Sequence, residues 1–360
     1  MGFGIIRLFN PMDGGCRPRQ EHEAGLERVR KAVASRKEKN IMDAKVKIIK
    51  PKNGVVGKVS GRKKLTAVEI APGATEIQGA TFSECTLLES VVLPEGLTTI
   101  QSSAFEGCTG LRSIVLPSSV KTIGDNAFSK CSGLTEIALN EGLEQVGGRA
   151  FMGCSSLKRV VIPSTVQRVG DLAFRDCSGV EEVIVSGGTE FGWSVFENCT
   201  SLASVSISKD VVRISPEMFA GCSSLKKMDV PEGVEVIGTD AFVGCDGLEL
   251  HLPKSVKMIE EHAFKDCLDA QIEGRVMVKF WPHPFNEDQH VKLMQDFENE
   301  GSDLANSCGM NPDATKLVDI AVLDQPEVAD GLYWYDDPSE GFSWQYRWFG
   351  AVCAAEGALA

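Results

Sequence analysis

The sequence predicts a β-rich solenoid: stacked coils of about 23 residues with one short strand each, forming a parallel sheet along one face. The first observation behind this is that Phe and Cys recur nine times as F-x-x-C, at steps of 22 or 23 residues. The nine pairs are Phe82/Cys85, Phe105/Cys108, Phe128/Cys131, Phe151/Cys154, Phe174/Cys177, Phe196/Cys199, Phe219/Cys222, Phe242/Cys245 and Phe264/Cys267. A fixed period of this length is typical of solenoids, in which each unit buries its apolar face only against its neighbours.

The second observation is the pattern inside each repeat, for example AFEGCTGLRSIVLPSSVKTIG. Ile114 and Leu116 alternate with outward positions, which predicts a short half-buried strand. Pro117 should end that strand because proline gives no amide to a ladder. The following V-x-x-I segment should turn a second apolar edge inward. Gly124 should form a tight corner, since glycine tolerates positive φ.

The repeat A-F-x-x-C-x-x-L-x-x-I-x-L-P-x-x-V-x-x-I-G closely resembles the BspA-like subtype of leucine-rich repeats, over about residues 65–270. The resemblance implies protein recognition, with secreted bacterial members acting as adhesins, and it carries no catalytic residue. The usual asparagine-ladder position holds Gly, Ser or Thr here. Between Phe174 and Phe196, Gly187-Gly188 and Phe191-Gly192-Trp193 replace the usual motif, so we expect that coil to be distorted.

Charge divides the chain into three parts. Residues 1–64 carry 17 Lys/Arg against 6 Asp/Glu, residues 65–270 carry 15 against 28, and residues 271–360 carry 5 against 16. We therefore predict a basic N-terminal arm with a helix from about Glu21 to Lys39 and a capping hairpin turned at Asn53-Gly54. The repeats follow, and then an acidic, aromatic-rich cap or small domain of mixed α/β structure.

The basic arm is open to two interpretations. Its lysines and arginines are typical of a solvated face, and weak contact with anionic lipid or nucleic acid is the alternative. The relevant residues are Lys50, Lys52, Lys58, Arg62, Lys63 and Lys64. No aromatic residue interleaves with them, as a base-stacking surface would need.

The segment 271–360 holds four of the five tryptophans and all three tyrosines. We expect a last strand within Arg275–Trp281 and helices at Asp288–Phe297 and Pro312–Leu323. The aromatic run Tyr333–Trp348 favours core or cap packing, with a ligand or peptide groove as the alternative. His283, Glu287, Asp288 and His290 lie close in sequence, but their spacing matches no metal motif, so no metal site is predicted.

Composition limits the compartment and the chemistry. No apolar run is long enough for a membrane span, and the first residues lack the long apolar stretch of a secretory signal. Nine of the twelve cysteines occupy one repeat position, which favours buried free thiols in a reducing compartment. We therefore expect an intracellular, cytoplasmic protein without a cofactor.

A candidate binding surface follows from the strand pattern. The residue between the last two core positions of L-x-x-I-x-L should point away from the core. Along the array that column reads Glu69, Val92, Val115, Ala138, Val161, Ile184, Ser206, Asp229 and His251. Its five consecutive apolar members, with Glu136, Arg159 and Glu182 on their flank, resemble a protein-binding stripe with a polar rim. The alternative is that β-branched residues are there only because they suit strands.

Three functions compete at this point. The first is a non-enzymatic intracellular scaffold that binds a protein partner of unknown identity through the sheet face. The second is a cell-surface adhesin, and the third is an enzyme with its activity in residues 271–360. The sequence contains no nucleophile elbow, P-loop, zincin or dinucleotide fingerprint, so we expect no catalytic residue.

Overall fold

The computed structural model describes residues 46–260, 262–267, 271–273, 276–277, 279–280 and 320–321, with side chains through residue 267. Within these ranges the chain winds into stacked coils with parallel sheets, as the repeat predicts. Almost no helix is present there, apart from the 3-10 turn η1 at Arg62–Lys64. Within the same ranges, no helix has the length and apolar character needed to cross a membrane.

The predicted strand is present in every coil. These first-face strands form four short parallel sheets, so the pairing between neighbouring coils is interrupted at three places along the rod. They are β1 (Val46–Ile49), β3 (Ala67–Ile70), β5 (Ser90–Val92), β7 (Ser113–Val115), β9 (Glu136–Ala138), β11 (Arg159–Ile162), β13 (Glu182–Val185), β15 (Ser204–Ile207), β17 (Lys227–Asp229), β19 (Glu249–His251) and β21 (Gln271–Glu273).

Each coil also has a second, two-residue strand, where the V-x-x-I segment predicts only an apolar edge. These strands form parallel sheets of seven and four strands. They are β2 (Val55–Val56), β4 (Glu76–Ile77), β6 (Thr99–Ile100), β8 (Thr122–Ile123), β10 (Gln145–Val146), β12 (Arg168–Val169), β14 (Glu190–Phe191), β16 (Arg213–Ile214), β18 (Val236–Ile237), β20 (Met258–Ile259) and β23 (Lys279–Phe280).

The third side of each coil is the F-x-x-C loop, whose hydrogen bonds run in the opposite direction along the rod. The Phe151 amide donates to the Ala173 carbonyl of the next coil at 2.8 Å, whereas the Gly147 amide donates backwards to Ile123. Residues two before and two after each repeat Phe have left-handed backbone, including Arg149 with φ 56°. The Arg149 amide donates to the next coil at 2.8 Å, and this bond offsets the strain of that conformation.

The core is built around a ladder of the nine repeat phenylalanines, all fully buried. Consecutive rings stack with centroids 5.1 to 5.9 Å apart. The nine repeat cysteines are also buried and free, as expected for small apolar fillers.

The role assigned to Gly124 from sequence is wrong. Gly124 is not among the glycines with positive φ. A Cβ at this position would lie 2.7 Å from the Ser102 amide nitrogen of the preceding coil. Glycine is needed because the coils approach each other closely here, not because the corner requires left-handed backbone.

The N-terminal end of the described chain continues the coil stack. Asn53 and Gly54, with φ 52° and 79°, turn the chain, and Lys52 and Val55 form an antiparallel bridge. The strands on either side do not pair with each other; β1 pairs with β3 and β2 with β4. The segment we expected to form a capping hairpin therefore contributes one more coil.

Among the basic residues next to this first coil, Arg62 has a structural role. Its guanidinium donates to the carbonyls of Ala80 at 2.6 Å and Thr81 at 3.3 Å. The expected helix in residues 21–39 lies outside the described residues.

At the other end, β21 pairs with β19 and β23 with β20, so the strand expected within Arg275–Trp281 is present. β22 (Val276–Met277) pairs with β24 (Ile320–Ala321). The predicted helix Pro312–Leu323 is wrong at Ile320–Ala321, because these residues form a strand that pairs with β22. The predicted helix Asp288–Phe297, the aromatic run Tyr333–Trp348 and the His283–His290 group lie outside the described residues.

The coil with the altered motif is locally distorted, as expected: the seven-stranded second-face sheet ends at β14, which does not pair with β16, although the coil stays in the stack. Phe191 takes the place of Val169 in register, and Phe174 still stacks on Phe196 at 5.5 Å. The sequence change is accommodated because Phe191 lies against the core, half-buried and tilted 52° to Phe196. Its visible consequence is Trp193, which is 65% exposed.

Candidate interaction surface

Strand register brings the predicted surface residues into one column on the first face. We call the five apolar members, Val92, Val115, Ala138, Val161 and Ile184, the outer stripe. Val115 pairs with Ala138, and Val161 pairs with Ile184, each in parallel register. Residues from five coils, far apart in sequence, therefore form one row, which crosses the sheet breaks between β5 and β7 and between β9 and β11.

Alternation along each strand turns the outer stripe away from the core. Ile114 and Val160, which precede Val115 and Val161, belong to the contiguous core cluster. The five residues of the outer stripe are all outside that cluster. The predicted inward and outward facing of these strands therefore agrees with the packing.

The outer stripe is less exposed than an isolated row of side chains would be. Val92, Val115 and Val161 are half-buried, whereas Ala138 and Ile184 are only 5% and 4% exposed. Parallel strands bring neighbouring side chains close, so a small residue such as Ala138 is covered beside the larger Val115. The stripe thus presents its three valines more than its other two members.

The polar flank lies two residues earlier on the same strand face. Arg159 Nε donates a hydrogen bond to Glu182 Oε2, so these side chains lie together beside Val161 and Ile184. Glu136 is exposed, and Ser113 of the neighbouring strand is in register with it. The flank therefore carries both signs of charge.

The column becomes polar after Ile184. Ser206 is in register with Ile184, and Asp229 with His251 further along. These three polar residues are exposed. His251 Nδ1 lies 3.3 Å from Asp229 Oδ1.

One further apolar residue extends the column at its N-terminal end and was not found from sequence. Ile48 is in register with Glu69 and is 62% exposed. The sequence does not reveal it because the Asn53-Gly54 turn predicts a hairpin rather than a further coil. Aligning Val46–Ile49 with the repeat strand Ala67–Ile70 would place Ile48 in the outward column.

Burial shifts the pKa values of several titratable side chains in the described coils. Burial raises the pKa of the Cys222 and Cys267 thiols to about 12, so they stay protonated at neutral pH. Burial also raises the pKa of Glu197, against the opposing effect of Arg175 at 3.1 Å. No group of three or more His, Cys, Asp or Glu suited to a metal ion occurs among the described residues.

Comparisons with known proteins agree with this architecture. The family model of the BspA type leucine-rich repeat region matches residues 60–181 and 146–271, with six copies of the repeat. No curated protein matches the chain.

Three solved structures are similar to the chain. A leucine-rich repeat protein from Bacteroides ovatus is 21% identical, with 65% of this chain and 82% of that chain covered and a TM-score of 0.33. A leucine-rich cell surface protein from Faecalibacterium prausnitzii is 23% identical, with 68% and 89% covered and a TM-score of 0.33. The leucine-rich repeat protein of T. pallidum is 28% identical, with 51% and 84% covered and a TM-score of 0.41.

Proposed function

Because the chain belongs to the BspA-type leucine-rich repeat family, we propose that it is a non-enzymatic scaffold that binds a protein partner. The binding surface is the outer stripe together with Glu136, Arg159 and Glu182.

The observation that carries this proposal is the run of apolar residues on the side of the sheet away from the core. Packing of the coils does not require it, because Ser206, Asp229 and His251 occupy the same column in later coils. Those coils still stack, with Phe219 and Phe242 5.6 Å apart, although the rings Phe105 and Phe128 beside the stripe are closer, at 5.2 Å. A row of outward apolar residues that folding does not need supports a role in binding.

The surroundings of the stripe fit a protein partner. Interfaces typically have an apolar centre and a polar rim. Val115 and Val161 supply the centre, and the Arg159–Glu182 pair and Glu136 supply a rim with both signs of charge. The matching partner surface is an apolar strip with charged residues along one side, so that the rim selects its orientation.

Site-specific photo-crosslinking in the native cell tests the proposal. A benzoylphenylalanine residue replaces Val115 or Val161 in the full chain, and Lys130, exposed on the F-x-x-C side, serves as the control. We expect the same discrete protein adduct from both stripe positions and none from Lys130. An adduct from Lys130 alone, or no discrete adduct from either valine, would show that the stripe is not the binding surface.

A further inference from the structure

A groove of about 790 Å³ lies on a different face from the outer stripe. It runs from Ser102 to Glu217 across six consecutive coils, and these are separated by five steps of about 4.8 Å, so the groove is about 24 Å long. One wall consists of the outward residues of the second-face strands, including Gln145 and Arg168. The other wall consists of residues before each repeat Phe, including Arg149.

The floor of the groove is formed by glycines. A Cβ on Gly147 would lie 2.5 Å from the Asp125 amide nitrogen, and one on Gly170 would lie 2.5 Å from the Gly148 amide nitrogen. Coil stacking therefore requires glycine at these two positions. Gly148 is different, because its Cβ would meet nothing closer than the Asp171 carbonyl at 3.4 Å, an ordinary contact. The absence of a side chain at Gly148 keeps the groove open without being needed for the fold.

Trp193 lines one end of the groove and is 65% exposed. Its backbone is held in place, since its amide donates to Asp171 Oδ1 at 3.0 Å. A large aromatic ring left in water loses the free energy that burial would give it. An exposed indole whose backbone is held at the end of a groove is suited to stacking against a flat ligand ring.

The polar groups of the groove are of two kinds. Arg149 and Arg168 are exposed, and neither makes an ion pair or hydrogen bond through its side chain within the described residues. Asp125 Oδ1 accepts from the Gly148 amide at 2.7 Å, and Asp171 Oδ1 accepts from Trp193. Each aspartate uses one of its two carboxylate oxygens in these bonds. Arg175 and Glu217 also line the groove, but Arg175 pairs with Glu197 and Glu217 accepts a hydrogen bond from Ser194 Oγ, so Arg149, Arg168, Asp125 and Asp171 are the charged groups best placed to meet a ligand.

We propose that this groove binds an acidic oligosaccharide, a chain of sugar rings that carries carboxylates on some rings. Trp193 stacks on the face of one ring, and the carboxylates of Asp125 and Asp171 accept hydrogen bonds from ring hydroxyls. Arg149 and Arg168 bind the carboxylates of the sugar, for which the guanidinium fork is geometrically suited. A single-stranded nucleic acid fits less well, because it carries one phosphate per nucleotide past two aspartates.

Calorimetric titration of the full-length protein tests the proposal. The probes are hexasaccharides of hyaluronan, alginate and galacturonate, with neutral chitohexaose and the oligonucleotide dT10 for comparison. We expect at least one acidic hexasaccharide to bind at least tenfold more tightly than chitohexaose and dT10. Trp193→Ala should weaken that binding at least tenfold, and the double variant Arg149→Ala/Arg168→Ala should reduce it to the level of chitohexaose.

Matched variants separate the groove from general effects on the fold. Leu87→Ala and Arg112→Ala remove an exposed apolar and an exposed basic side chain outside the groove and should leave binding unchanged. Gly148→Leu retains every proposed ligand-binding side chain but fills the groove, so it should abolish binding while the unfolding midpoint stays near that of the wild type.

Three results would overturn the proposal. They are the absence of binding by all three acidic hexasaccharides, tighter binding of dT10, and equal binding of chitohexaose. Full binding by a folded Gly148→Leu protein would likewise show that the groove is not the site. The chain has four other tryptophans, all in residues 281–348. The fluorescence of Trp193 alone is obtained by subtracting the spectrum of the Trp193→Phe variant from that of the wild type, and its change on titration reports ligand contact.

Discussion

The Cys154 thiol donates a hydrogen bond to the Phe128 carbonyl of the preceding coil, with sulfur and oxygen 3.3 Å apart. The same carbonyl accepts the Cys131 amide of its own coil at 3.2 Å. Both lone pairs of a buried carbonyl are thereby satisfied. Because seven other repeat cysteines bond the preceding coil in the same way, the F-x-x-C spacing links each coil to the one before it.

Replacing Cys154 should therefore destabilise the array through this bond. Cys154→Val fills a similar volume but cannot donate, so it should lower the free energy of unfolding by about 0.5–1.5 kcal/mol. Cys154→Ala also leaves a cavity and should cost more. Urea denaturation measures both, and a Val variant as stable as the wild type would show that the thiol acts only as a filler.

The thiols should be protected as long as the coils are folded. Burial holds the pKa of Cys222 and Cys267 at about 12, far above pH 8, so almost no reactive thiolate forms there. In a variant with alanine at Cys16, Cys308 and Cys353, a thiol reagent at pH 8 should react slowly with the native protein. All nine repeat thiols should react rapidly in denaturant. Fewer than nine in denaturant without reductant would indicate disulfides instead.

The free energy of unfolding lost when a ladder phenylalanine is replaced by alanine should depend on its position in the ladder. Phe151 stacks between Phe128 at 5.3 Å and Phe174 at 5.1 Å, so Phe151→Ala should cost about 3–5 kcal/mol. Phe264 is the last ring of the ladder, 5.7 Å from Phe242, so with one ladder neighbour instead of two Phe264→Ala should cost less. Chemical denaturation compares the two, and equal losses would contradict nearest-neighbour stacking.

Glu197 should make stability depend on pH. Its carboxyl has a raised pKa in the folded protein, chiefly from burial, so the folded state binds its proton more tightly than the unfolded state does. The contribution of this group to stability is therefore present below its unfolded pKa, 4.5, and is lost as pH rises through the raised folded pKa. The stability of wild type relative to Glu197→Gln should fall across that window. A difference that stays constant would mean that the Arg175 ion pair offsets burial, and one that rises with pH would mean that the ion pair outweighs burial.

Much of the fold could be predicted from the sequence because the same pattern of buried residues recurs nine times at a nearly constant period. The F-x-x-C pairs predict which side chains are buried, and the alternation around Ile114 predicts the strand and its facing. The second-face strands were not predicted, since a two-residue strand such as β8 is too short to show alternation. The left-handed backbone at Arg149 could not be predicted either, because arginine has no preference for positive φ. The conformation is set by the hydrogen bond from the Arg149 amide to the next coil.

The two candidate surfaces could also be predicted only in part from the sequence. The outer stripe could be predicted as a column because the period fixes the register. The low exposure of Ala138 and Ile184 could not, because it depends on the side chains of neighbouring coils. The groove at Trp193 was also out of reach, since it is built from glycines and charges that only stacking brings together.

In the proposed function, the outer stripe binds a partner without holding the fold together. The most direct test is the affinity of the purified cross-linked partner for Val115→Asp/Val161→Asp, measured alongside the unfolding midpoint and compared with the inward variant Val120→Asp. We expect the outward double variant to fold and lose the partner, and Val120→Asp to unfold the array, because Val120 is fully buried. An outward variant that folds and binds with unchanged affinity would contradict the proposed site, and one that unfolds would contradict the facing of the strands.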